Sequence, residues 1–525
     1  MKFPDSEQRA GPPIPLVVTA TVIHREVSRI RAVTPRLGRS LAHGTTAYAI
    51  DSLPDMGETT RRGAVAAGLM ASMALAAIDQ TIVATAVPSI VRDLGSFSLF
   101  PWVIAAYLLA QAVSTPVYGR LADLFGRKPM LLTGMSIFLA GSLLGGLAWS
   151  MPALIVARAV QGVGAGAIQS ITQVVAADLY PLEERGRISG LLSSVWGVSA
   201  LVGPALGGLL SEFGLWRWIF LLNLPVGGVA CVIIMVWLRE SVERRPRRLD
   251  LLGTALLSTG VIAVMLGLQT SSPWPVALGV LLLVAFGWWE RRAAEPLMPP
   301  WMWRNRALLG SYLGSAVVGM VLVGPTVYLP TFAQGVLGAG AIAAGFALAV
   351  QSIGWPITAA MSNRLYLRYG FRDTALAGIV LVGVSATMFS LMTASSSLVY
   401  AGLCSFVNGC GLGLVSVSML VGAQEEVGYE RRGVVTGGVV FFRIAGGALG
   451  TAVLSAVANS TLASHLGGGA SVDEAARALN GGTADHIRAA LAAAVHNVFL
   501  TMLAFAALGL LAILIVPRRR PRRSV

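Results

Sequence analysis

The sequence GRLADLFGRK at residues 119–128 lies between two apolar segments, residues 101–118 and 129–149. Glycine permits tight turns and close backbone approach, and the stretch has Gly119 at its start and Gly126 near its end. Its aspartate can cap a helix end, and its basic side chains favour the cytoplasmic edge of a membrane. The charged residues are Arg120, Asp123, Arg127 and Lys128. The stretch therefore predicts a short cytoplasmic loop between two membrane helices.

The composition predicts a membrane protein with many spans. Of the 525 residues, 55% are hydrophobic and only 12% are charged, and the mean hydropathy is +0.72. Apolar runs long enough to cross a bilayer recur along almost the whole chain. The net charge of +14 comes mostly from arginines in short loops beside these runs, which is typical of membrane orientation and argues against nucleic-acid binding. Cys231, Cys404 and Cys410 fall within apolar runs, so we interpret them as packing residues without a disulfide or metal role.

Fourteen transmembrane helices are predicted, and the fold class is an all-α integral membrane protein. We expect an N-terminal six-helix bundle at residues 64–238, two inserted helices at residues 251–289 and a C-terminal six-helix bundle at residues 308–516. The predicted helices cover residues 64–88, 101–118, 129–149, 152–177, 188–210, 218–238, 251–268, 275–289, 308–333, 342–361, 374–393, 397–422, 433–458 and 493–516.

The two ends of the chain are predicted to be cytoplasmic. Residues 1–60 are proline-rich and lack periodicity, so we expect a disordered extension; an alternative is that translation starts at Met56. Residues 517–525 form a basic tail. With the N-terminus inside, most arginines lie in the inward loops, as the positive-inside rule requires. The outward loops hold Arg92, Arg217, Arg477 and Arg488.

An internal repeat relates the two six-helix bundles. The stretch at residues 119–128 aligns with NRLYLRYGFR at residues 363–372, and QGVGAG at residues 161–166 aligns with NGCGLG at residues 408–413. Two related halves around a central site are a common architecture of secondary transporters. The sequence therefore predicts a duplicated half with two helices inserted between the copies.

Five stretches resemble the major facilitator superfamily, and in particular its fourteen-helix drug:proton antiporters. The first is the stretch at residues 119–128. The others are AAIDQTIVATAVP at residues 76–88, RAVQGVGAG at residues 158–166, VGPALGG at residues 202–208 and WRWIFLLNLPVG at residues 216–227. The resemblance implies the major facilitator fold, and export of small lipophilic compounds in exchange for protons by alternating access.

The same resemblance implies roles for particular residues. Gating is implied for Gly119, Asp123, Gly126, Arg127 and Lys128. The antiporter motif of the fifth helix is implied for Gly190, Gly203, Pro204, Gly207 and Gly208. Ser199 departs from the pattern, because the family usually has glycine at that position.

Asp123 distinguishes the first half from its degraded copy, in which Leu367 stands at the equivalent position. In the family, this aspartate holds the cytoplasmic side closed by contacting the other half. We therefore expect Asp123 to contact the start of the thirteenth helix, around Gly433.

Asp79 is predicted to be the one acidic residue well inside a membrane helix, where charges are costly and commonly functional. On the predicted boundaries it lies about 13 Å from the outer end of its helix, and Arg158 lies about 9 Å from the outer end of the fourth. The two side chains can therefore meet if these helices are neighbours, as they are in the family. We expect Asp79 and Arg158 to carry proton coupling; the alternatives are a hydrogen-bonded structural aspartate and an arginine that donates to backbone carbonyls.

Polar or aromatic side chains in the helices that line the family's central cavity are candidates for substrate contact. They are Tyr107, Gln111, Gln161, Gln351, Asn408 and Arg443. Each can alternatively form hydrogen bonds between helices. The membrane segments hold one acid against two arginines, which favours neutral, weakly cationic or anionic lipophilic substrates over divalent cations.

Nothing in the sequence predicts catalysis, because the histidines are scattered without metal-ligand spacing and no phosphate-binding loop is present. We expect no enzyme activity, no metal and no cofactor, with a proton gradient as the energy source. The expected partners are a small-molecule substrate, protons and membrane lipids, but no nucleic acid, for a monomer in a bacterial cytoplasmic membrane. Two alternatives remain: a dedicated exporter of one endogenous metabolite, such as an antibiotic, lipid or siderophore, and a non-transporting membrane sensor with the same fold.

Overall fold

A computed structural model describes most of the chain. The described residues are 56–96, 99–240, 250–270, 272–466 and 485–518. Most of the predicted N-terminal extension and basic tail, and the middle of the loop between the last two helices, lie outside this range. The bundle described below belongs to the compact unit Arg61–Val525.

Fourteen helices in the described part are long and apolar enough to cross a membrane, as predicted. They are α1 (Thr60–Ile82), α2 (Phe100–Phe125), α3 (Arg127–Gly146), α4 (Met151–Leu179), α5 (Leu182–Glu212), α6 (Trp218–Trp237), α7 (Leu251–Leu268), α8 (Pro273–Glu290), α9 (Arg306–Gly335), α10 (Ile342–Tyr369), α11 (Phe371–Ser390), α12 (Leu398–Glu425), α13 (Tyr429–Leu466) and α14 (His486–Ile515).

The first helix has different bounds from those predicted. Helical structure begins at Met56, so the expected disorder up to residue 60 is wrong for the residues after 55. The helix ends at Ile82 instead of residue 88, and a separate short helix, Val87–Leu94, follows. The break has a local cause, because Pro88 lacks the N–H that a continuous helix would need at that position.

The predicted loop at residues 119–128 is also wrong. The second helix continues to Phe125 and the third begins at Arg127, so Gly126 alone connects them. Its φ of 100° is one that residues with a side chain rarely adopt, which explains the glycine. The tenth helix likewise extends beyond its predicted end to Tyr369. The sequence criterion detects only the hydrocarbon-spanning part of a helix, and these helices continue into the charged edge.

The repeat is visible in how the helices pack. A Cβ atom built on Gly162 of α4 would lie 2.3 Å from the carbonyl oxygen of Tyr107 in α2, and one built on Gly409 of α12 would lie 2.2 Å from that of Gln351 in α10. Only glycine permits backbones to approach this closely. The helix pairs α2–α4 and α10–α12 are therefore built on the same contact, one in each half.

The two inserted helices cover one interface between the halves. Leu257 and Val261 of α7 and Phe286 of α8 form an apolar cluster with Phe441 of α13. Val113 of α2 packs against the same cluster. The pair α7–α8 therefore lies outside the α2–α13 interface.

Candidate functional site

A buried ion pair occupies the N-terminal half. The Arg158 Nη1 of α4 contacts the Asp79 Oδ2 of α1, and both side chains are almost completely buried. The guanidinium lies 4.1 Å from the centroid of the Tyr107 ring, and its Nε donates to the Val103 carbonyl oxygen at 3.3 Å. The contact between Asp79 and Arg158, predicted from their depths, is therefore present, although α1 is shorter than predicted.

Two amide side chains hold the other carboxylate oxygen. Gln161 Nε2 and Asn223 Nδ2 each donate to Asp79 Oδ1 at 3.0 Å. The same nitrogens also lie 2.6 and 2.9 Å from Ser142 Oγ, and Gln161 Oε1 accepts from Arg158 Nη1 at 2.9 Å. A buried charge is tolerated when it is both paired and hydrogen-bonded, and Asp79 meets both conditions.

Sequence reasoning missed Asn223 and Ser142. Asn223 was detectable, because it is a polar residue within the apolar stretch at residues 216–227 that carries part of the resemblance. Ser142 offered no signal, since serine is common in membrane helices, where it can bond to its own backbone.

Five of the six side chains predicted to line a cavity are buried. Tyr107 and Gln161 belong to the Asp79 network, and Gln111, Gln351 and Asn408 are at most 5% exposed. These five side chains are therefore closed to solvent in this conformation, and their contact with substrate stays a prediction. The reason is the close approach of α2 to α4 and of α10 to α12, which leaves no open space beside them. Arg443 of α13 is the one that remains partly exposed.

The C-terminal half has polar groups that find no partner among the described residues. Asn408, fully buried, has neither Nδ2 nor Oδ1 in a hydrogen bond, and Gln351 Oε1 has no donor. Within the same part of the chain, Arg443 forms no ion pair or side-chain hydrogen bond. Asn408 occupies the position that Gln161 has in the N-terminal half, where the amide is fully bonded.

Asp123 joins the two halves at the motif end, by which we mean the end of the bundle that carries residues 119–128. Its Oδ1 accepts from the Gly433 N–H and its Oδ2 from the Val434 N–H, both at 2.8 Å. These N–H groups belong to the first turn of the long helical run of α13, where the helix dipole favours an anion. The predicted contact of Asp123 with the start of the thirteenth helix is therefore present.

A second carboxylate extends this junction. Asp178 of α4 accepts from Arg127 at 3.2 Å and from Arg432 of α13 at 2.8 Å. Arg127 also lies 3.3 Å from Asp123 and donates to the Tyr429 carbonyl oxygen. Its guanidinium stacks 3.8 Å from the centroid of the Tyr429 ring. Asp178 and Tyr429 were not predicted, because their roles depend on the meeting of two halves that are distant in sequence.

Other residues of the motif bind neighbouring segments. The Arg120 Nη2 donates to Glu295 after α8 at 2.7 Å. The Lys128 N–H donates to Glu240 after α6 at 2.8 Å, and its Nζ donates to the Met235 carbonyl oxygen at 2.6 Å. The basic residues thus fix α2 and α3 to the ends of α6 and α8.

The equivalent junction between α5 and α10 is made mainly by uncharged groups. Asn363 Nδ2 donates to the Glu183 carbonyl oxygen at 2.6 Å, and Tyr366 Oη donates to the Leu182 carbonyl oxygen at 2.7 Å. Nearby, Arg185 of α5 forms an ion pair with Glu425 of α12. The degraded copy of the motif therefore still contacts the opposite half, without a carboxylate where Asp123 stands in the first copy.

The antiporter motif of α5 has two packing surfaces. A Cβ atom on Gly203 would lie 2.0 Å from Thr81 Oγ1, and one on Gly207 would lie 2.2 Å from Thr85 Oγ1. Because both positions lack a side chain, the end of α1 and the residues just after it pack directly on α5. A Cβ on Gly190 would lie 2.7 Å from the Cβ of Ala360 in α10.

The two remaining members of the motif are Gly208 and Pro204. A Cβ atom on Gly208 would meet no neighbouring atom within 4 Å, so this glycine makes no close helix contact in this conformation. Pro204 lies inside α5, which remains helical on both sides of it. Ser199 sits where the pattern expects glycine, and its carbonyl oxygen accepts from Thr81 Oγ1 at 3.0 Å.

Two repeated six-helix halves, joined at one end and with a buried carboxylate–arginine pair inside the first half, define a membrane transporter of the two-domain type. The sequence model of the Major Facilitator Superfamily matches residues 69–451, and the chain belongs to that family. The predicted fold and family are therefore confirmed.

The relatives of the chain are transporters. Multidrug resistance protein 3 of Bacillus subtilis (strain 168) is 32% identical over 412 residues, which cover 77% of this chain and 80% of that protein. Multidrug transporter protein MdtP of the same organism is 31% identical over 414 residues, covering 77% and 76%. The crystal structure of the human organic anion transporter MFSD10 shares the fold, with a TM-score of 0.61 at 14% identity over 87% of this chain and 99% of that one.

Proposed function

We propose that this transporter exports small lipophilic compounds in exchange for protons, from a bacterial cytoplasm and with both termini on the cytoplasmic side. The observation that carries the proposal is the buried Asp79 network, which holds a single carboxylate among helices α1, α4 and α6. A carboxylate enclosed within a membrane bundle is the usual type of proton carrier in transporters. Two relatives, the multidrug resistance protein 3 and the multidrug transporter protein MdtP of Bacillus subtilis, support multidrug compounds as the substrate class.

Proton binding at Asp79 changes the packing of its neighbours. A neutral carboxyl group no longer attracts the Arg158 guanidinium, which is then left with the Gln161 and Val103 oxygens. Thr81 lies two residues beyond Asp79 and packs directly on Gly203 of α5. The protonation state of Asp79 is thereby linked to the contact between α1 and α5.

The fifth helix carries this change to the opposite half. Gly190 of the same helix packs on Ala360 of α10, and Gly197 packs on Ser352. A shift of α5 against α1 therefore alters a surface between the halves. Packed surfaces of this kind switch between discrete arrangements more readily than they deform.

The motif end is closed in this structure by the contacts of Asp123, Asp178 and Arg185. The positive-inside rule assigns this end to the cytoplasm. In the proposed cycle, the opposite end opens towards the outside, which lets a proton reach Asp79 and lets substrate leave. Opening the motif end requires Asp123 to release the first turn of α13.

A transport assay tests the proposal. The purified chain is reconstituted into liposomes with an imposed pH gradient, and uptake of a panel of lipophilic dyes is measured. We expect Asp79→Asn to lower gradient-driven uptake at least tenfold, because the amide cannot exchange a proton.

The matched control is Asp93→Asn, the same substitution at a carboxylate that pairs with Arg217 on the exposed surface. We expect it to retain wild-type uptake. Undiminished gradient-driven uptake by a folded Asp79→Asn variant would refute the proposed role of Asp79. Wild-type uptake that does not respond to the pH gradient would refute proton coupling itself.

A further inference from the structure

Two arginines, Arg158 and Arg443, lie well inside the apolar part of a membrane helix, and of these two only Arg158 pairs with a carboxylate. Ion pairs are present for Arg120, Arg127, Arg158, Arg185 and Arg432. Arg443 has none within the described part of the chain, and no side-chain hydrogen bond there. An unpaired guanidinium inside a membrane bundle is costly, which marks it as a candidate functional group.

The position of Arg443 on α13 directs it into the bundle. Thr436, seven residues earlier and therefore on the same helix face, accepts from Gln424 of α12 at 3.1 Å. Gly450, seven residues later on that face, packs on Met320 of α9. Phe441, two residues before Arg443 and on the opposite face, packs on the inserted helices. Arg443 therefore faces the helices of its own half, away from the side that the inserted pair covers.

The partial exposure of Arg443 indicates that a ligand can reach it. The other five residues predicted to contact substrate are buried, whereas Arg443 keeps accessible surface. The buried carboxylate of Asp79 does not compete for it, because Asp79 is already held by Arg158 and two amides. A planar guanidinium that has no partner within the protein can bind an oxyanion of a ligand through two parallel hydrogen bonds.

We propose that Arg443 binds the acidic group of the transported compound, so that the substrates include amphiphiles with a carboxylate or sulfonate. The inference rests on the proposed function, and it names the substrate class. It separates two tasks between the halves: the N-terminal half holds the proton at Asp79, and the C-terminal half holds the substrate at Arg443. Cationic amphiphiles are disfavoured at this position by charge repulsion.

Equilibrium binding tests this inference without any gradient. The full chain in lipid nanodiscs is titrated at pH 7.5 with two fluorescent probes, 11-(dansylamino)undecanoic acid and its primary carboxamide. The probes share one apolar body and differ in charge, so the ratio of their Kd values reports recognition of the anion. We expect the acid to bind about tenfold more tightly, as one charge-assisted interaction provides.

Three variants test whether Arg443 is the source of the preference for the acid. Arg443→Gln should reduce the ratio to about one, and Arg443→Lys should retain part of it, because the charge remains while the bidentate geometry is lost. Arg217→Gln removes an equal charge outside the membrane-spanning helices and should keep the wild-type ratio. A folded Arg443→Gln variant with an unchanged ratio overturns the inference. A ratio of about one in the wild-type protein also overturns it, because the anion is then not preferred at all.

The Asp79→Asn variant separates this inference from the proposed function. It should keep the wild-type preference for the acid while losing gradient-driven uptake. Loss of the preference in Asp79→Asn would overturn the division between the halves. A wild-type chain that prefers the acid but shows no proton-driven transport would refute the proposed function and leave the anion site standing.

Discussion

The two halves of this transporter share one packing scheme but differ in the bonding of the amide side chain that precedes the packed glycine. In each half, a glycine packs directly on a backbone carbonyl: Gly162 on Tyr107, and Gly409 on Gln351. The residue before that glycine is Gln161 in one half, which bonds to a carboxylate, a hydroxyl group and a guanidinium. In the other half it is Asn408, which has no partner among the described residues.

This difference shows which features a duplicated fold preserves. Close helix packing depends on the absence of a side chain, so a glycine retained in both copies gives the same backbone geometry twice. A buried charge depends on several partners at once, and the N-terminal half assembles them from four helices. The C-terminal half keeps the geometry without a buried carboxylate at this place, which leaves Asn408 without a partner among the described residues.

The largest expected effect on stability follows from removing the arginine side chain that pairs with Asp79. We expect Arg158→Met to destabilise the fold by about 3–5 kcal/mol, because it leaves a buried carboxylate without its counter-ion. The measurement is thermal unfolding of the purified chain in detergent.

The control is Arg217→Met, which breaks an exposed pair with Asp93. An exposed ion pair contributes about 0–1 kcal/mol, so the unfolding temperature should hardly change. Equal and small shifts for the two variants would show that the Asp79 network does not stabilise the N-terminal half.

The sequence predicted the fold well because each membrane helix carries its own signal. Apolar length and the distribution of arginine were enough for fourteen spans, and the repeat located the two halves. The end of α2 was not predictable in this way. A hydropathy criterion assigns Asp123 and Arg120 to a loop because both are charged. In the structure they lie in the last turns of α2, where Asp123 accepts from the start of α13 and Arg120 donates to the segment after α8.

The candidate site was predictable only in part. Asp79 and Arg158 were identified because each is a charge in an apolar segment, and their helix depths indicated a contact. Asp178 was missed because it lies at the predicted cytoplasmic edge, where an acidic residue is ordinary; its importance depends on Arg432, which is distant in sequence. Burial of Gln111 and Gln351 was also unpredictable, since it depends on the distance between packed helices rather than on residue type.

An intermediate effect is expected at the junction between the halves. We expect Asp123→Asn to weaken the closed motif end by about 1–2 kcal/mol, because the negative charge is lost and an NH2 group, which cannot accept from an N–H, replaces one of the two oxygens. Transport of a lipophilic dye should fall several-fold, while its Kd remains near the wild-type value.

The control is Leu367→Asn, which places an amide at the equivalent position of the degraded copy and should leave transport nearly unchanged. Closure itself is measured by the rate at which a cysteine introduced at the motif end reacts with a water-soluble maleimide. A folded Asp123→Asn variant that no longer binds the dye would contradict a gating role.

The smallest effect is expected at Gln161 and Asn408, the amides at equivalent positions of the repeat. Here the change in stability should have opposite signs in the two halves. Gln161→Leu should destabilise the fold by about 1–3 kcal/mol, because Asp79 Oδ1 and Ser142 Oγ lose a donor. Asn408→Val should leave the unfolding temperature unchanged or raise it slightly, because it removes two buried polar atoms that have no partner among the described residues. Equal destabilisation by both substitutions would mean that Asn408 is bonded in the folded protein, to a water molecule or to a ligand. The C-terminal half would then have a polar network of its own, and the contrast between the bonded Gln161 and the unbonded Asn408 would no longer hold.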